Sequence, residues 1–247
     1  RRALSASQFK LVYQPQVYAD SGCVFGAEAL LRWHPEDMLA IPPTEFIPLA
    51  EEIGMILPIG EWVITQACEQ ARRWRDDGLN CRIAVNVSGV QIYRDDIVAA
   101  VQRAARAASI SPELIQVELT ESTLIEDSIL VHDAISGLKA IGTSVAIDDF
   151  GTGYSSLAYL KRFRVDKLKI DRSFIADACF NEESAAMTRA VISIAHSLNM
   201  RSIAEGVETP EQLAFIRQAG CNEVQGFIDS RPLSTTDFLK FANLRKI

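Results

Sequence analysis

Two hydrophobic patterns alternate along most of this chain. Short apolar runs, typical of buried strands, are followed by longer segments in which apolar residues recur every three or four positions, as on one face of a helix. One such helical face carries Val63, Ala67, Ala71 and Trp74 and ends before Gly78. Alternation of strands with helices predicts a parallel sheet.

Eight strands can be counted. Phe9–Val17 and Val24–Trp33 are joined by the short turn Asp20-Ser21-Gly22, which predicts an antiparallel hairpin. The other strands are predicted over Arg82–Val87, Leu114–Leu119, Ser144–Asp148, Lys167–Ile170, Arg201–Ala204 and Glu223–Gly226. Helices are predicted over Thr44–Ile53 (with Thr44 as the cap), Ile59–Arg75, Asp96–Ala108, Ile129–Ile141, Ser156–Leu160, Glu182–Asn199, Pro210–Ala219 and Thr236–Leu244. Eight strands within 247 residues predict an α/β fold, a closed TIM-like (β/α)8 barrel.

Composition limits the classes of partner. The net charge of −7 and pI near 5.1 argue against a broad DNA or RNA surface, because such domains are usually basic. No apolar run approaches the roughly 20 residues that cross a bilayer, and no signal peptide is visible. Five cysteines without a C-x-x-C motif favour reduced thiols in a cytoplasmic protein.

The chain shows no linker, repeat or low-complexity segment, so one domain is expected over residues 1–247. It starts at Arg1 and not at a methionine, which favours a piece of a longer protein.

Polar residues fall near the carboxyl end of almost every predicted strand. Carboxylates are rarely buried unless they are paired or bound to a metal. The active sites of such barrels lie at the carboxyl ends of the strands, so we expect these side chains to meet there: Glu28, Asn86, Glu118, Asp148 with Asp149, Lys169, Glu205 and Gln225.

The adjacent aspartates Asp148 and Asp149 have two interpretations. Like charges resist joint ionisation, so a divalent cation could lie between them, or they could belong to a solvated turn with Gly151. Together with Glu28, Asn86 and Glu118 they form a set of hard oxygen donors suited to Mg²⁺, Mn²⁺ or Ca²⁺. Asp149 and Glu205 add enough carboxylate for a second ion, with Asp148 as the bridge. Two such ions about 3.5–4 Å apart are used by known enzymes to hydrolyse phosphoesters.

Lys169 is the only cation of the set. It could orient a nucleophilic water and stabilise the developing phosphorane, or it could form a structural ion pair with a nearby carboxylate. A Schiff-base aldolase fits poorly, because its lysine must be partly neutral. Arg32 follows Glu28 on the same strand face and could hold a phosphate through two hydrogen bonds.

At this point a family resemblance becomes visible. Glu28-Ala29-Leu30-Leu31-Arg32 resembles the signature of the EAL domain, a family of cyclic di-GMP-specific phosphodiesterases. Matching blocks extend from about Phe9 to Phe241 and include Tyr13-Gln14-Pro15, Asn86-Val87-Ser88, Glu118-Leu119-Thr120-Glu121, Lys169-Ile170-Asp171, Ala204-Glu205-Gly206-Val207-Glu208 and Gln225-Gly226.

The resemblance implies a barrel with one antiparallel strand. It also implies hydrolysis of cyclic di-GMP to linear pGpG with two Mg²⁺ or Mn²⁺ ions, inhibited by Ca²⁺. By position, it implies metal ligands at Glu28, Asn86, Glu118, Asp148, Asp149 and Glu205, catalytic roles for Lys169 and Glu205, substrate contacts at Gln14, Leu30, Arg32 and Gln225, and loop-anchoring roles for Glu121 and Glu208.

The resemblance further implies a homodimer in the cytoplasm. A sensory or GGDEF domain is expected upstream in the full-length protein, whose attachment to a membrane is left open. The alternative is a catalytically weak EAL module that serves as a cyclic di-GMP receptor or protein-interaction domain. The enzyme is favoured because no implied metal ligand is missing from the sequence.

Overall fold

The computed structural model describes residues 2–36, 39–125, 129–151 and 157–245. Its centre is a closed barrel of eight strands that neighbour one another in chain order. The first strand pairs antiparallel with the second and the eighth, and every other pairing is parallel. The predicted TIM-like barrel is therefore confirmed. The strands are β1 (Phe9–Tyr18), β2 (Val24–Trp33), β3 (Arg82–Asn86), β4 (Ile115–Thr120), β5 (Ser144–Phe150), β6 (Lys167–Ile170), β7 (Arg201–Glu205) and β8 (Glu223–Gln225).

Helices surround the barrel and connect its strands. None of the helices in the described part of the chain is long and apolar enough to cross a membrane. They are α1 (Arg2–Ser5), α2 (Pro43–Glu52), α3 (Ile56–Asp76), α4 (Gly89–Arg94), α5 (Ile97–Ala108), α6 (Glu121–Ile125), α7 (Ile129–Ala140), α8 (Leu157–Phe163), α9 (Arg172–Ala176), α10 (Glu182–Ser197), α11 (Pro210–Gln218) and α12 (Thr235–Leu244).

Two of the helix starts that differ from the sequence prediction involve prolines. Thr44 does not cap α2, which begins at Pro43 after Pro42. The fixed φ of proline suits the first helical position, so no side-chain cap is needed. The α3 helix begins at Ile56, three residues earlier than predicted. Pro58 is tolerated there because N–H groups of the first turn have no partner within the helix.

Besides α1, three short helices were not predicted. They are α4, α6 and α9, and each follows within a few residues of the carboxyl end of a strand. Ser88 caps α4 through a capping box with Gln91, and Asp171 caps α9 by accepting from the backbone N–H of Ser173 at 3.0 Å. These helices are too short to show a helical period in sequence. The predicted cap of α8, Ser156, lies outside the described residues.

The hydrophobic core lies between the strands and the surrounding helices. Part of it is an aromatic group that packs β1 against α3 and α12. The ring of Trp74 stacks on Phe238 with centroids 4.4 Å apart, and Tyr13 meets Trp74 edge-on at 4.8 Å. All five cysteines are free thiols, as predicted, and Cys68, Cys81 and Cys221 are buried.

The inside of the barrel, in contrast, is strongly polar. Lys167 on β6 contacts Glu223 on β8 at 2.5 Å, although β7 lies between these strands. Lys167 shares its strand face with Lys169, and Glu223 shares its face with Gln225, so this contact lies inside the barrel. Both side chains are about 3% exposed, and the Lys167 Nζ also lies 4.5 Å from the Phe25 ring centroid. Buried charges require such partners, because desolvation is costly.

Candidate metal centre

At the other end of the barrel interior, four carboxylates surround one lysine. We call Glu28, Glu118, Asp148 and Glu205 the carboxylate cluster. The Nζ of Lys169, whose side chain is 1% exposed, lies 2.5 Å from Glu118 Oε2, 2.8 Å from Glu205 Oε1, 3.0 Å from Asp148 Oδ1 and 3.5 Å from Glu28 Oε2. Five strands that are distant in sequence thus bring their side chains to one point.

Strand register explains this convergence. Asn86 pairs with Glu118, Thr120 with Asp148, and Glu205 with Gln225, each at or near the carboxyl end of its strand. Inward-facing positions at the ends of parallel strands meet across a narrow barrel.

Asp148 and Asp149 are brought to the same place by an irregularity in β5. Successive side chains of a regular strand point to opposite faces, so only one of the two could point inward. The pairing of β5 with β6 shifts between Ile147 and Phe150, and Asp149 has φ of 53°. Aspartate tolerates this left-handed conformation better than most residues. The β-bulge lets both carboxylates serve the same end of the barrel.

The cluster divides into two overlapping groups of possible metal ligands. Carboxylate oxygens of Glu28, Glu118 and Asp148 lie within 4.8 Å of one another, as do those of Asp148, Asp149 and Glu205. Every donor is a hard oxygen, which is the ligand type of Mg²⁺, Mn²⁺ and Ca²⁺. The four carboxyl groups of the cluster face a single lysine, so acidic groups outnumber the available cation. Charge and ligand chemistry both fit divalent ions.

Lys169 and Glu28 are held in their charged forms. Burial lowers the pKa of Lys169, but the carboxylates of Asp148, Glu118 and the rest of the cluster outweigh it and raise the pKa well above its usual value. Burial raises the pKa of Glu28, but Lys169 and hydrogen bonds from Gln225 and Asn86 make the net shift downward. Asn86 Nδ2 donates to Glu28 Oε1 at 2.6 Å.

The other carboxylates are less well compensated. Burial, opposed by Lys169 and reinforced by Glu28 and Asp148, raises the pKa of Glu118 to about 7. Burial also raises the pKa of Glu205 well above its usual value, against the effect of Lys169. One lysine is therefore not enough to keep all of these groups ionised.

A cavity of about 290 Å³ opens above the cluster. Carboxylates outnumber cations among its described lining residues, which are Gln14, Glu28, Asp148, Asp149, Lys169, Asp171, Arg172, Glu205, Gly206, Glu208, Gln225, Gly226 and Phe227.

Comparison with known proteins places this geometry in a family. Residues 1–232 match the family model of the EAL domain. The chain belongs to the EAL domain family. This EAL domain is 44% identical to the bifunctional diguanylate cyclase/cyclic di-GMP phosphodiesterase MucR of Pseudomonas aeruginosa, over 97% of the chain and 35% of MucR. It is 41% identical to the cyclic di-GMP phosphodiesterase PdeR of Escherichia coli, over 96% of the chain and 36% of PdeR.

A solved structure is similar throughout. The PaMucR phosphodiesterase in complex with c-di-GMP superposes with a TM-score of 0.92 at 43% identity, covering 96% of this EAL domain and 97% of that chain. The EAL domain spans about a third of the length of the two curated relatives named above.

The residues predicted to contact substrate take two positions in the EAL domain. Gln14 and Gln225 line the cavity, and Gln225 Nε2 donates to Glu28 Oε2 at 2.5 Å. Leu30 and Arg32 lie further along β2, are half-buried, and are absent from the cavity lining in the described part of the chain. Arg32 Nη1 donates to the carbonyl of Leu31 at 2.9 Å.

The two predicted loop-anchoring glutamates lie beside β5 and the cavity. Glu121 Oε2 accepts a hydrogen bond of 2.8 Å from the backbone N–H of Gly151, directly after β5. Glu208 lines the cavity. Residues 152–156 of the predicted Asp149–Ser155 loop and its flank lie outside the described residues.

Sequence reasoning missed several residues around the site. Asp171 and Arg172 line the cavity, and the buried amides Gln16 and Gln116 donate hydrogen bonds to Gln225 and Glu118 respectively. Gln116 lies two positions before Glu118, so strand periodicity alone places both side chains on the same face. That signal was available in the sequence.

Proposed function

We propose that this EAL domain hydrolyses one phosphodiester bond of cyclic di-GMP to give linear pGpG, with two divalent ions, Mg²⁺ or Mn²⁺. The observation that carries the proposal is the convergence of Glu28, Glu118, Asp148 and Glu205 on Lys169 at the base of a cavity. The similarity to MucR and PdeR, whose names state cyclic di-GMP phosphodiesterase activity, supports the substrate.

We assign the ions to the two overlapping groups. Glu28, Asn86, Glu118 and Asp148 would hold one, and Asp148, Asp149 and Glu205 the other. Asn86 donates its NH₂ to Glu28, which leaves its carbonyl oxygen as the atom able to bind a cation. When bound, such ions lower the pKa of water and neutralise charge on a phosphate.

The substrate's own charge supports a need for such ions. Six carboxylates but only Lys169 and Arg172 as cations line the described part of the cavity. Cyclic di-GMP carries two phosphate charges, which this lining would repel. Two divalent ions would supply enough positive charge to balance the excess carboxylates.

Lys169 then orients the attacking water. Its ammonium is buried and stays protonated, so it can donate hydrogen bonds but cannot act as a base. Glu205 contacts Lys169 at 2.8 Å and has the most exposed side chain of the carboxylate cluster, at 17%. We assign it the role of holding Lys169 toward the cavity in addition to binding metal.

The remaining polar groups select the substrate. Gln14 and Gln225 lie in the cavity wall and are suited to hydrogen bonds with a base or ribose. We assign Leu30 and Arg32 to the substrate surface beyond the cavity, where the Arg32 guanidinium can bind the second phosphate. Glu121 and Glu208 would keep the segment after β5 in position.

Product analysis tests the proposal. The domain is incubated with cyclic di-GMP and either Mg²⁺, Mn²⁺ or Ca²⁺, and the nucleotides are separated by chromatography. We expect pGpG with Mg²⁺ and Mn²⁺ and little product with Ca²⁺. Binding of cyclic di-GMP without any product would identify a receptor module instead, and neither binding nor product would contradict both functions.

We further propose that this domain, residues 1–247, acts as a homodimer within a longer cytoplasmic signalling protein. The lengths of MucR and PdeR support additional domains, such as a sensory or GGDEF domain. Light scattering on the isolated domain and on the full-length protein would test the dimer; a monomer in both samples would contradict it.

A further inference from the structure

Two buried amides lie in the barrel interior directly beneath the carboxylate cluster. Gln16 on β1 is 2% exposed and Gln116 on β4 is 1% exposed. Neither is among the described residues that line the cavity, so neither is placed to touch a substrate. Each is nevertheless linked by hydrogen bonds to a carboxylate that does face the site.

Gln116 holds Glu118 directly. Its Nε2 donates to Glu118 Oε1 at 2.8 Å, while Glu118 Oε2 contacts Lys169 at 2.5 Å. The two oxygens of Glu118 therefore have different donors on different sides. A carboxylate fixed at both oxygens cannot rotate about its last side-chain bond, so its orientation is set before any ligand arrives.

Gln16 holds Glu28 through Gln225. Gln16 Nε2 donates to Gln225 Oε1 at 2.9 Å, and Gln225 Nε2 donates to Glu28 Oε2 at 2.5 Å. An ionised carboxylate only accepts hydrogen bonds, so Gln225 must turn its NH₂ toward Glu28. Its oxygen then faces Gln16, which must present its own NH₂. The chemistry allows one orientation of each amide.

Gly26 provides the space for this relay. It is paired with Gln16 in the β1–β2 register. A Cβ at Gly26 would lie 3.1 Å from Gln16 Oε1 and 3.2 Å from the backbone carbonyl of Arg82. Any larger residue at position 26 would therefore press on Gln16.

We propose that Gln16 and Gln116 are positioning residues that orient Glu28 and Glu118 for divalent metal binding. The inference rests on the proposed function, since it concerns the same metal ions. It follows that both amides contribute to metal affinity, and that Gln116, which contacts Glu118 and not Gln225, contributes to metal affinity alone. Partners that orient metal ligands typically contribute 10–100-fold to metal affinity or activity.

Methionine substitutions test this assignment, because methionine keeps the length of glutamine and removes the donor. Mn²⁺ affinity is measured without substrate, by isothermal titration calorimetry and by electron paramagnetic resonance of free Mn²⁺. We expect Gln16→Met and Gln116→Met each to weaken Mn²⁺ binding by about 10–100-fold. In turnover assays kcat of both variants should recover as Mn²⁺ is raised, and KM of Gln116→Met for cyclic di-GMP at saturating Mn²⁺ should stay unchanged.

Gln70→Met is the matched control. Gln70 is also a buried amide, 5% exposed, but it lies on α3 outside the barrel. We expect wild-type Mn²⁺ affinity from this variant. Gly26→Ala is a gentler second test, because its added methyl group displaces Gln16 without removing any polar atom of the relay. It should also weaken Mn²⁺ binding.

The outcomes separate the two proposals. If wild type binds Mn²⁺ and turns over, but the folded Gln16, Gln116 and Gly26 variants bind Mn²⁺ equally well, the positioning role is overturned and the phosphodiesterase stands. An equal loss in Gln70→Met would also overturn it, because the effect would not be specific to the relay. If wild type itself does not bind Mn²⁺, both proposals fail.

Discussion

Replacing Lys169 by methionine should destabilise the metal-free protein strongly and the metal-loaded protein much less. Lys169 contacts four carboxylate oxygens between 2.5 and 3.5 Å and is 1% exposed. Without it, the four carboxylates of the cluster have no cation among them. Removing one partner of a buried ion pair typically costs about 3–5 kcal/mol.

The expected size can be stated as a melting temperature. For a domain of 150–250 residues, 1 kcal/mol shifts Tm by about 2–4 °C, so Lys169→Met in EDTA should melt roughly 6–20 °C below wild type. Divalent ions bound only by the folded state stabilise it by about 2.7 kcal/mol at 100 times Kd. Because such ions would replace the missing positive charge, they should stabilise the variant more than the wild type. The difference in Tm between the two proteins should therefore be smaller in Mg²⁺ or Mn²⁺ than in EDTA.

Lys167→Met is the matched control for this experiment. Lys167 lies two residues earlier on β6, is equally buried, and pairs with Glu223 at the opposite end of the barrel interior. Lys167→Met should lower Tm by a similar amount in EDTA, but adding metal should not reduce the difference in Tm from wild type. Thermal unfolding of the three proteins with and without metal provides the comparison. If Lys169→Met melts below wild type by the same number of degrees in EDTA and in saturating metal, the reasoning is refuted.

Four further outcomes are expected. Asp148→Asn should abolish pGpG formation with an unchanged circular dichroism spectrum, because Asp148 belongs to both groups of candidate ligands; turnover in Mg²⁺ would contradict the assigned ligands. Phe238→Ala should lower the free energy of unfolding by about 3–5 kcal/mol in urea titration, since this ring is fully buried in the aromatic group; a loss below 1 kcal/mol would contradict the packing. Burial raises the pKa of Cys68 and Cys81 to about 12, so at pH 8 iodoacetamide should label half-buried Cys23 and Cys179 first. As the unfolded thiols ionise near pH 9 and the folded ones do not, stability should fall as pH rises from 9 toward 12.

Most of the barrel could be predicted from the sequence because its strands are set by local patterns. The turn after Phe9–Val17 indicates the antiparallel hairpin, and the strand–helix alternation indicates the parallel remainder. The polar residues at the strand ends point to a common site, because parallel strands end on the same side. These inferences need only periodicity and the right-handed connection of strands through helices.

Other features depend on contacts that no local pattern contains. The bulge at Asp148 and Asp149 is a change in strand pairing, and adjacent aspartates alone are also compatible with a solvated turn. For Lys169 the sequence is compatible with orienting a water or with forming an ion pair, and the structure shows the ion pairs. The relay links Gln16 to Glu28 through Gln225, which lies 209 positions after Gln16 in the sequence.

The bulge in β5 also fixes what this strand can tolerate. One extra residue there interrupts the alternation of inward-facing and outward-facing side chains. Asp149 is therefore not forced to point away from Asp148. Deleting a single residue between Ile147 and Phe150 would restore a regular strand in which Phe150 still lies opposite Ile170. A shortened chain of this kind would still have every other acidic residue of the site, yet this strand would present one carboxylate to the barrel mouth where it now presents two.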